Sequence, residues 1–315
     1  MLLEKSIAVV VPAYNEQLLI GKVVDTMPTF VDHIVIVDDL STDDTVSVVE
    51  EIVDNNSKVT LIKHQINQGV GGAISTGYIW ARDKNIDVTA VMAADFQMDP
   101  DDLERMVAPV CKGETDYTKG NRLFRGESWE MIPKHRYFGN SCLSLMTKIA
   151  SGYWHIADSQ SGYTAISLQA LKAIEIENIY PRYGMPNDLL IKLNIANFRV
   201  RDISTRPVYK VGEKSGIKIR KVLFTIPLIL FKGFWKRMIH KYVIRDFHPL
   251  VFFYTLGSIF GLTTCALLLR VIYYKLLNGY FPPTSSLAMM FSFISFSQFI
   301  LFAMWFDMEA NKDLR

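Results

Sequence analysis

The chain has 315 residues, 50 % of them hydrophobic, and a formal net charge of +2. That length accommodates one sizeable α/β domain with a small appendage, and the near-neutral charge excludes a general nucleic-acid binder. Three scattered cysteines, Cys111, Cys142 and Cys265, lack metal-type spacing and argue against both a disulfide framework and a zinc site.

In chain order, residues 7–11, 34–37, 59–64 and 88–92 are short β-rich runs, read as strands. Segments 16–27, 43–53 and 70–83 between them have helical character, the second opening on Asp43-Asp44. Such alternation predicts a mostly parallel sheet with helices on both faces. Residues 113–161 are less regular, with a helix expected over 140–150. Further on, helices are expected over 164–174 and 188–197, and a strand over 199–203.

The mean hydropathy of +0.15 is high for a soluble enzyme, and the excess is local. Residues 250–269 and 276–306 are long uncharged stretches, and about 20 apolar residues suffice to span a bilayer as a helix. Asn278-Gly279-Tyr280-Phe281-Pro282-Pro283 supplies the turn of a hairpin. Ahead of it, residues 210–245 carry ten Lys/Arg against one acid, Glu213. From 221 to 248 the pattern is aromatic and basic together, and this segment is expected to lie in the membrane interface with its cationic heads at lipid phosphates. The charge asymmetry predicts the large domain on the cytoplasmic side of the membrane, and the membrane is expected to be the plasma (inner) membrane. The expected divisions are 1–220 catalytic, 221–248 interfacial, 249–306 spanning and 307–315 a cytoplasmic tail.

Chemistry-bearing residues cluster where strands end. After the first strand comes Pro12-Ala13-Tyr14-Asn15-Glu16 rather than the Gly-x-Gly-x-x-Gly turn of a dinucleotide-binding domain. Gly69-Val70-Gly71-Gly72 follows the third strand, where that fingerprint does not belong. Asp38 and Asp39 close the second strand, and acids at the carboxyl ends of parallel strands face the ligand crevice of open sheets. The fourth strand delivers Asp95 and Gln97, two apart and so on one side of extended chain. Two oxygen donors there suit a hard divalent cation that also binds a substrate diphosphate. A strand-end turn or helix cap would place the same residue types in each of these positions.

Taken in order, Pro-Ala-Tyr-Asn-Glu, Val37-Asp38-Asp39-x-Ser41-x-Asp43-x-Thr45, Asn67-Gln68-Gly69-x-Gly71-Gly72-Ala73 and Asp95-x-Gln97-Met98-Asp99-Pro100 resemble glycosyltransferase family 2. Its members have the GT-A fold, and the paired C-terminal spans look most like the polyprenyl-phosphate sugar transferases. The resemblance implies an inverting transfer from a UDP- or GDP-sugar to undecaprenyl or dolichyl phosphate. It implies that Pro12, Ala13, Tyr14, Glu16, Asp38 and Asp39 line the nucleotide pocket. Asp95 and Gln97 would hold Mg²⁺ or Mn²⁺ against the donor diphosphate. Arg122 and Arg136 would meet acceptor or donor phosphates, joined by Gln160 and by Lys214 of a basic loop. Asp188 falls where related enzymes keep an acid near the acceptor. The implied partners are the nucleotide sugar, the polyprenyl phosphate and the bilayer, with self-association of the hairpin a further expectation.

One departure is plain: the family commonly has Asp-x-Asp at the metal, and here Ala93 stands at the first position. A catalytically silent sugar-nucleotide-binding protein, a transferase acting on a hydroxyl acceptor, a processive synthase and a dehydrogenase remain alternatives at this level.

Overall fold

The computed structural model describes residues 1–122, 134–206 and 219–315, apart from the side chains of 134–138, 140 and 219–224. The chain divides into two compact units, Met1–Phe234 with Leu314–Arg315, and Trp235–Asp313.

The first unit alternates strands and helices: β1 Ile7–Ala13, α1 Ile20–Asp25, β2 His33–Asp38, α2 Thr45–Asn55, β3 Val59–Lys63, α3 Val70–Asp83 and β4 Val88–Val91. After these come α4 Leu103–Cys111, β5 Tyr117–Asn121, α5 Lys134–Ser151, β6 Thr164–Ser167, α6 Leu168–Ala173, α7 Met185–Ile195 and β7 Val200–Ser204. The seven strands lie in the order β3-β2-β1-β4-β6-β5-β7. β1 to β4 run parallel, β6 runs antiparallel to both β4 and β5, and β7 returns parallel to β5. The carboxyl ends of β1, β2, β4, β5 and β7 therefore share one edge with the start of β6. That edge carries the strand-end motifs.

The run Ile7-Ala8-Val9-Val10-Val11 is apolar throughout because both faces of β1 are covered. Ala8 and Val10 pack with Ala73, Ile74, Tyr78 and Ala81 of α3. Ile7, Val9 and Val11 pack with Ile20 and Val23 of α1 and with Leu103, Met106 and Val107 of α4. The closest approach is at Gly77 in α3, where an added Cβ would stand 2.3 Å from Val10 Cγ1. Gly77→Ala is accordingly expected to overpack the core and cost about 1–3 kcal/mol, read as a lowered midpoint in thermal unfolding. An unchanged midpoint would contradict this packing.

Two elements differ from the periodicity reading. Residues 164–167 form a strand rather than the start of a helix, because they pair with β4 on one side and β5 on the other. Ser167 then caps the short α6, its hydroxyl accepting from the Ala170 N–H at 3.2 Å. Residues 16–19 stay outside α1, the Glu16 and Gln17 N–H groups donating instead to Thr45 Oγ1 and Asp43 Oδ2 of the 41–45 loop.

Helix α8, Ile219–Ile239, runs from the first unit into the second and is followed by a π-helical turn, His240–Arg245. The second unit then forms the hairpin of α9, Leu250–Asn278, and α10, Pro283–Ala310. Both are long and apolar enough to cross a bilayer, and each has only 17 % of its most apolar window buried. Gly279, at φ +73°, provides the left-handed C-terminal cap of α9, and Pro283 opens α10. The helices meet through small residues: Gly257 faces Ile300, Gly261 faces Phe296, and the Phe260 and Phe299 rings stack at 5.7 Å.

Part of the basic segment turns inward instead of reaching outward as expected. Arg237 is fully buried and pairs bidentately with Asp307, Nη1 to Oδ1 at 2.7 Å and Nη2 to Oδ2 at 3.0 Å. The Tyr242 hydroxyl donates to the same Oδ1, and Lys241 Nζ donates to Asn311 Oδ1. A buried carboxylate at the end of an apolar helix needs a charged, hydrogen-bonded partner, and Arg237 satisfies it. Lys232, Lys236 and Arg245 remain exposed. The last two residues rejoin the first unit, where the Val200 N–H donates to Leu314 O at 3.0 Å.

Candidate active site

Two loops at the ends of β1 and β2 brace each other. Asn15 has φ +58°, and its Oδ1 accepts from the Thr42 N–H at 2.8 Å. Its own N–H donates to Ser41 Oγ, and the Glu16 N–H donates to Thr45 Oγ1. Pro12 and Ala13 are the last residues of β1, in register with Val37 and Asp38. Tyr14 lies exposed beyond them.

The two neighbouring carboxylates are used differently. Asp39 is taken up by the fold: its Oδ1 accepts from the Gln68 N–H at 2.8 Å and its Oδ2 from the Gly69 N–H at 2.7 Å. His64 Nδ1 lies 2.9 Å from the same Oδ1, while Nε2 lies 2.9 Å from Thr76 Oγ1. Asp38 is 3 % exposed, and its Oδ2 accepts from the Ser41 N–H. Its Oδ1 is buried without a hydrogen-bond partner. A buried, unsatisfied carboxylate oxygen is costly, so this position asks for an N–H or O–H from a ligand.

The glycine patch has a packing role. A Cβ at Gly71 would stand 2.6 Å from Tyr180 O, and one at Gly69 would stand 2.8 Å from Pro181 O. The Gly72 N–H donates to that Pro181 oxygen at 2.9 Å. Asp188, in the first turn of α7, ties the same segment, its Oδ2 accepting from the Tyr180 N–H at 3.0 Å. Asp188 is thus placed as a brace of the 180–185 segment.

Beyond β4 the chain turns at once. Phe96 has φ +59°, with Lys22 Nζ 4.0 Å above its ring, and Asp95 Oδ1 accepts from the Gln97 N–H at 3.1 Å. The expected extended geometry, with Asp95 and Gln97 projecting side by side, is therefore replaced by a tight turn. The Ala93 N–H donates to Met98 Sδ at 3.2 Å, which folds the methionine back under the turn. Among the described residues no three His, Cys, Asp or Glu gather into a metal-holding group. One carboxylate and one carboxamide form a hard, oxygen-only donor set. That set fits Mg²⁺ or Mn²⁺, which keep few protein ligands and fill the rest from substrate phosphates and water.

A charged cluster closes the other half of the edge. Arg122 follows β5 and pairs bidentately with Asp158, Nε to Oδ2 at 2.8 Å and Nη2 to Oδ1 at 3.2 Å. Burial pushes the Asp158 carboxyl upward, but Arg122, with help from Lys119, outweighs it and holds the group below the usual carboxylate range. Asp202 on β7 ties β5 to the segment at Ala157: its Oδ2 accepts from Asn121 Nδ2 at 2.9 Å and from the Ala157 N–H at 2.8 Å. Its Oδ1 is buried without a partner, and burial raises this carboxyl to about 6. Lys119 is fully buried and donates to Ser161 O. Desolvation brings its ammonium down to about 8 against the pull of Asp158 and Asp202. Gln160 Nε2 donates to Ser159 Oγ and to Oδ1 of the fully buried Asn187, which also accepts from Thr147 Oγ1.

The structure thus brings Pro12, Ala13, Tyr14, Glu16, Asp38, Asp95, Gln97, Arg122 and Gln160 to the strand-end edge of one sheet. Arg136 belongs to α5, but its side chain lies outside the described residues, as does Lys214 altogether. Sequence reading missed Lys119 and Asp202. The period-2 alternation that puts Lys119 on the same side of β5 as Asn121 was the available signal for the first. Nothing local marks Asp202, whose role depends on β7 lying beside β5.

The profile of glycosyl transferase family 2 matches residues 8–174. A UDP-N-acetylglucosamine–dolichyl-phosphate N-acetylglucosaminyltransferase of Methanococcus voltae is 32 % identical over 248 residues, 73 % of this chain and 98 % of the relative. A polyprenol monophosphomannose synthase of Mycolicibacterium smegmatis is 26 % identical over 227 residues, 69 % of this chain and 84 % of the relative. Among solved structures, the glucosyl-3-phosphoglycerate synthase of Mycobacterium tuberculosis, crystallised with Mn²⁺, UDP and phosphoglyceric acid, superposes with a TM-score of 0.55. It is 18 % identical, and the match covers 74 % of this chain and 78 % of that one, a likeness of fold. The seven-stranded sheet is of GT-A type, and the chain belongs to glycosyl transferase family 2 and is a glycosyltransferase.

Proposed function

We propose that this enzyme transfers a sugar from a nucleotide-sugar donor to a polyprenyl monophosphate, held at the cytoplasmic face of a membrane by its C-terminal hairpin. One juxtaposition carries the reading. The unpartnered Asp38 oxygen and the Asp95 turn occupy one end of the strand-end edge, and the Arg122–Asp158 cluster occupies the other. The chain that holds them continues into two bilayer-length apolar helices. The relatives named as dolichyl-phosphate and polyprenol transferases support this acceptor class. A UDP-sugar is favoured by the name of the Methanococcus relative and by the UDP complex of the structural neighbour. The basic residues ahead of the first span, against a connecting turn without charge, support the cytoplasmic orientation.

In this reading Asp38 Oδ1 accepts a ring N–H of the base, as uracil or guanine would offer. Pro12, Ala13, Tyr14 and Glu16 line the nucleoside. Asp39 acts one step back, fixing the 67–69 loop beside them. Asp95 and Gln97 hold the divalent cation, which when bound supplies Lewis-acid assistance to the departing nucleoside diphosphate. The acceptor phosphate has a second pKa near ~6 and is anionic at neutral pH. It needs orientation and cations more than a base. Arg122, Arg136 and Lys214 supply the cations, and Asp158 orients the Arg122 fork. Attack on the anomeric carbon from the face opposite the diphosphate inverts its configuration.

Two tests follow. The purified enzyme should glycosylate polyprenyl monophosphate and leave the free polyprenol untouched. Equal use of the alcohol would favour hydroxyl-acceptor chemistry. Asp188→Asn should reduce transfer far less than Asp95→Ala, because Asp188 Oδ2 braces the Tyr180 N–H and an amide oxygen can still accept that bond. The reverse ranking in steady-state kinetics would make Asp188 a general base.

A further inference from the structure

Gln298 stands near the middle of α10, Pro283–Ala310, and is exposed. At ~1.5 Å per residue it lies roughly 20 Å from either end, at the depth of the hydrocarbon core of a bilayer. The hydroxyls of Thr255, Ser258, Thr263, Thr264, Ser286 and Ser297 all donate to the main-chain carbonyl four residues earlier. The Gln298 carboxamide makes no hydrogen bond among the described residues. In lipid there is no water to satisfy it, so an exposed mid-span amide calls for a protein partner.

The surface around it has the spacing of a helix-packing seam. Phe291, Ile294, Gln298, Leu301 and Trp305 follow one another at intervals of three, four, three and four residues. The four apolar members are 65 %, 53 %, 65 % and 57 % exposed. Lipid alone would cover such an apolar stripe; the glutamine is what lipid cannot satisfy. A single polar residue in an apolar 3-4 repeat sets register and partner in packed helices. A carboxamide carries both donor and acceptor, so two copies related by a two-fold axis satisfy each other reciprocally.

We infer that the Gln298 face of α10 is a self-association surface, at which a second copy of this chain docks and the two Gln298 carboxamides pair within the bilayer. The inference rests on the membrane reading above. It is tested with full-length protein carrying donor or acceptor fluorophores, reconstituted in phosphatidylcholine–phosphatidylglycerol vesicles over a range of lipid-to-protein ratios. The wild type should show energy transfer that falls on dilution with lipid. Gln298→Leu should need about tenfold more protein for the same transfer, whereas Gln298→Asn should stay near wild type. A Leu262→Ala control on the exposed face of α9 should leave the transfer unchanged. Protein that washes off vesicles in alkaline carbonate would overturn the membrane reading along with the inference. Protein that is retained but monomeric at every ratio, or a Gln298→Leu curve matching wild type, would overturn the inference alone.

Discussion

Replacing Asp95 by alanine is expected to reduce sugar transfer on the order of 10³-fold or more while the protein stays folded and membrane-bound. Asp95 is the only carboxylate in the turn that leaves β4 directly, since Ala93 and Ala94 precede it. The loss of Lewis-acid assistance to a departing diphosphate amounts to several kcal/mol of barrier. It sits in a half-buried turn outside the strands, where its Oδ1 accepts from the Gln97 N–H, so the folding cost should be small beside the catalytic one. Steady-state transfer measured beside thermal unfolding separates the two effects. Near-normal activity would remove Asp95 from the metal-holding role, and collapse of the fold would make its role structural. The same geometry gives Ala93 a meaning: with one carboxylate instead of two, cation binding should depend on the donor diphosphate more than on the protein.

The second large effect concerns the Arg122–Asp158 pair. Arg122→Ala should lower transfer about 10²-fold, through loss of a bidentate cation at the acceptor end. It should also destabilise the fold by about 2–4 kcal/mol. Removing one partner of a buried pair leaves an uncompensated charge, here moderated because Arg122 is 35 % exposed while Asp158 is almost fully buried. The pH dependence has a definite sign. In the wild type the Asp158 carboxyl is held below its ordinary value, so its stabilising contribution is full at neutral pH and is lost as pH falls through the depressed value. Without Arg122 burial raises that carboxyl relative to wild type, and the folded variant favours its protonated form. The gap in unfolding midpoint should therefore be widest near neutral pH and shrink toward about pH 4. A gap of constant size would mean the loss is of packing rather than charge. Arg122→Lys should recover part of the stability and little of the transfer, because an ammonium cannot reproduce the fork.

How far the sequence foretold these features depends on how local each one is. The run Ile7–Val11 and the acid at the end of β2 are local signals, legible because a buried parallel strand must be apolar and must end at the crevice. The two long apolar helices are legible for the same reason: length and scarcity of charge suffice. The strand β6 was not, because Thr164-Ala165-Ile166-Ser167 is equally compatible with a helix until two neighbouring strands claim it. The division of labour between Asp38 and Asp39 was also hidden. Both follow Val37, and only the return of the 67–69 loop commits Asp39 to backbone amides while leaving Asp38 Oδ1 open. Asp202 and Lys119 act across β5, β7 and the 157–161 segment, contacts with sequence separations of 42 to 81 residues that no window can contain. The inward turn of Arg237 required Asp307 seventy residues later.

Sugar transfer to a lipid phosphate can be read in a single assay. Purified full-length protein in detergent is incubated with undecaprenyl phosphate and Mg²⁺ or Mn²⁺. Each of a panel of radiolabelled UDP- and GDP-sugars is supplied in turn, with and without EDTA, and the organic phase is counted. The expected result is lipid-phase label from one donor, lost on addition of EDTA. Nucleotide binding with no lipid-phase label from any donor would contradict it.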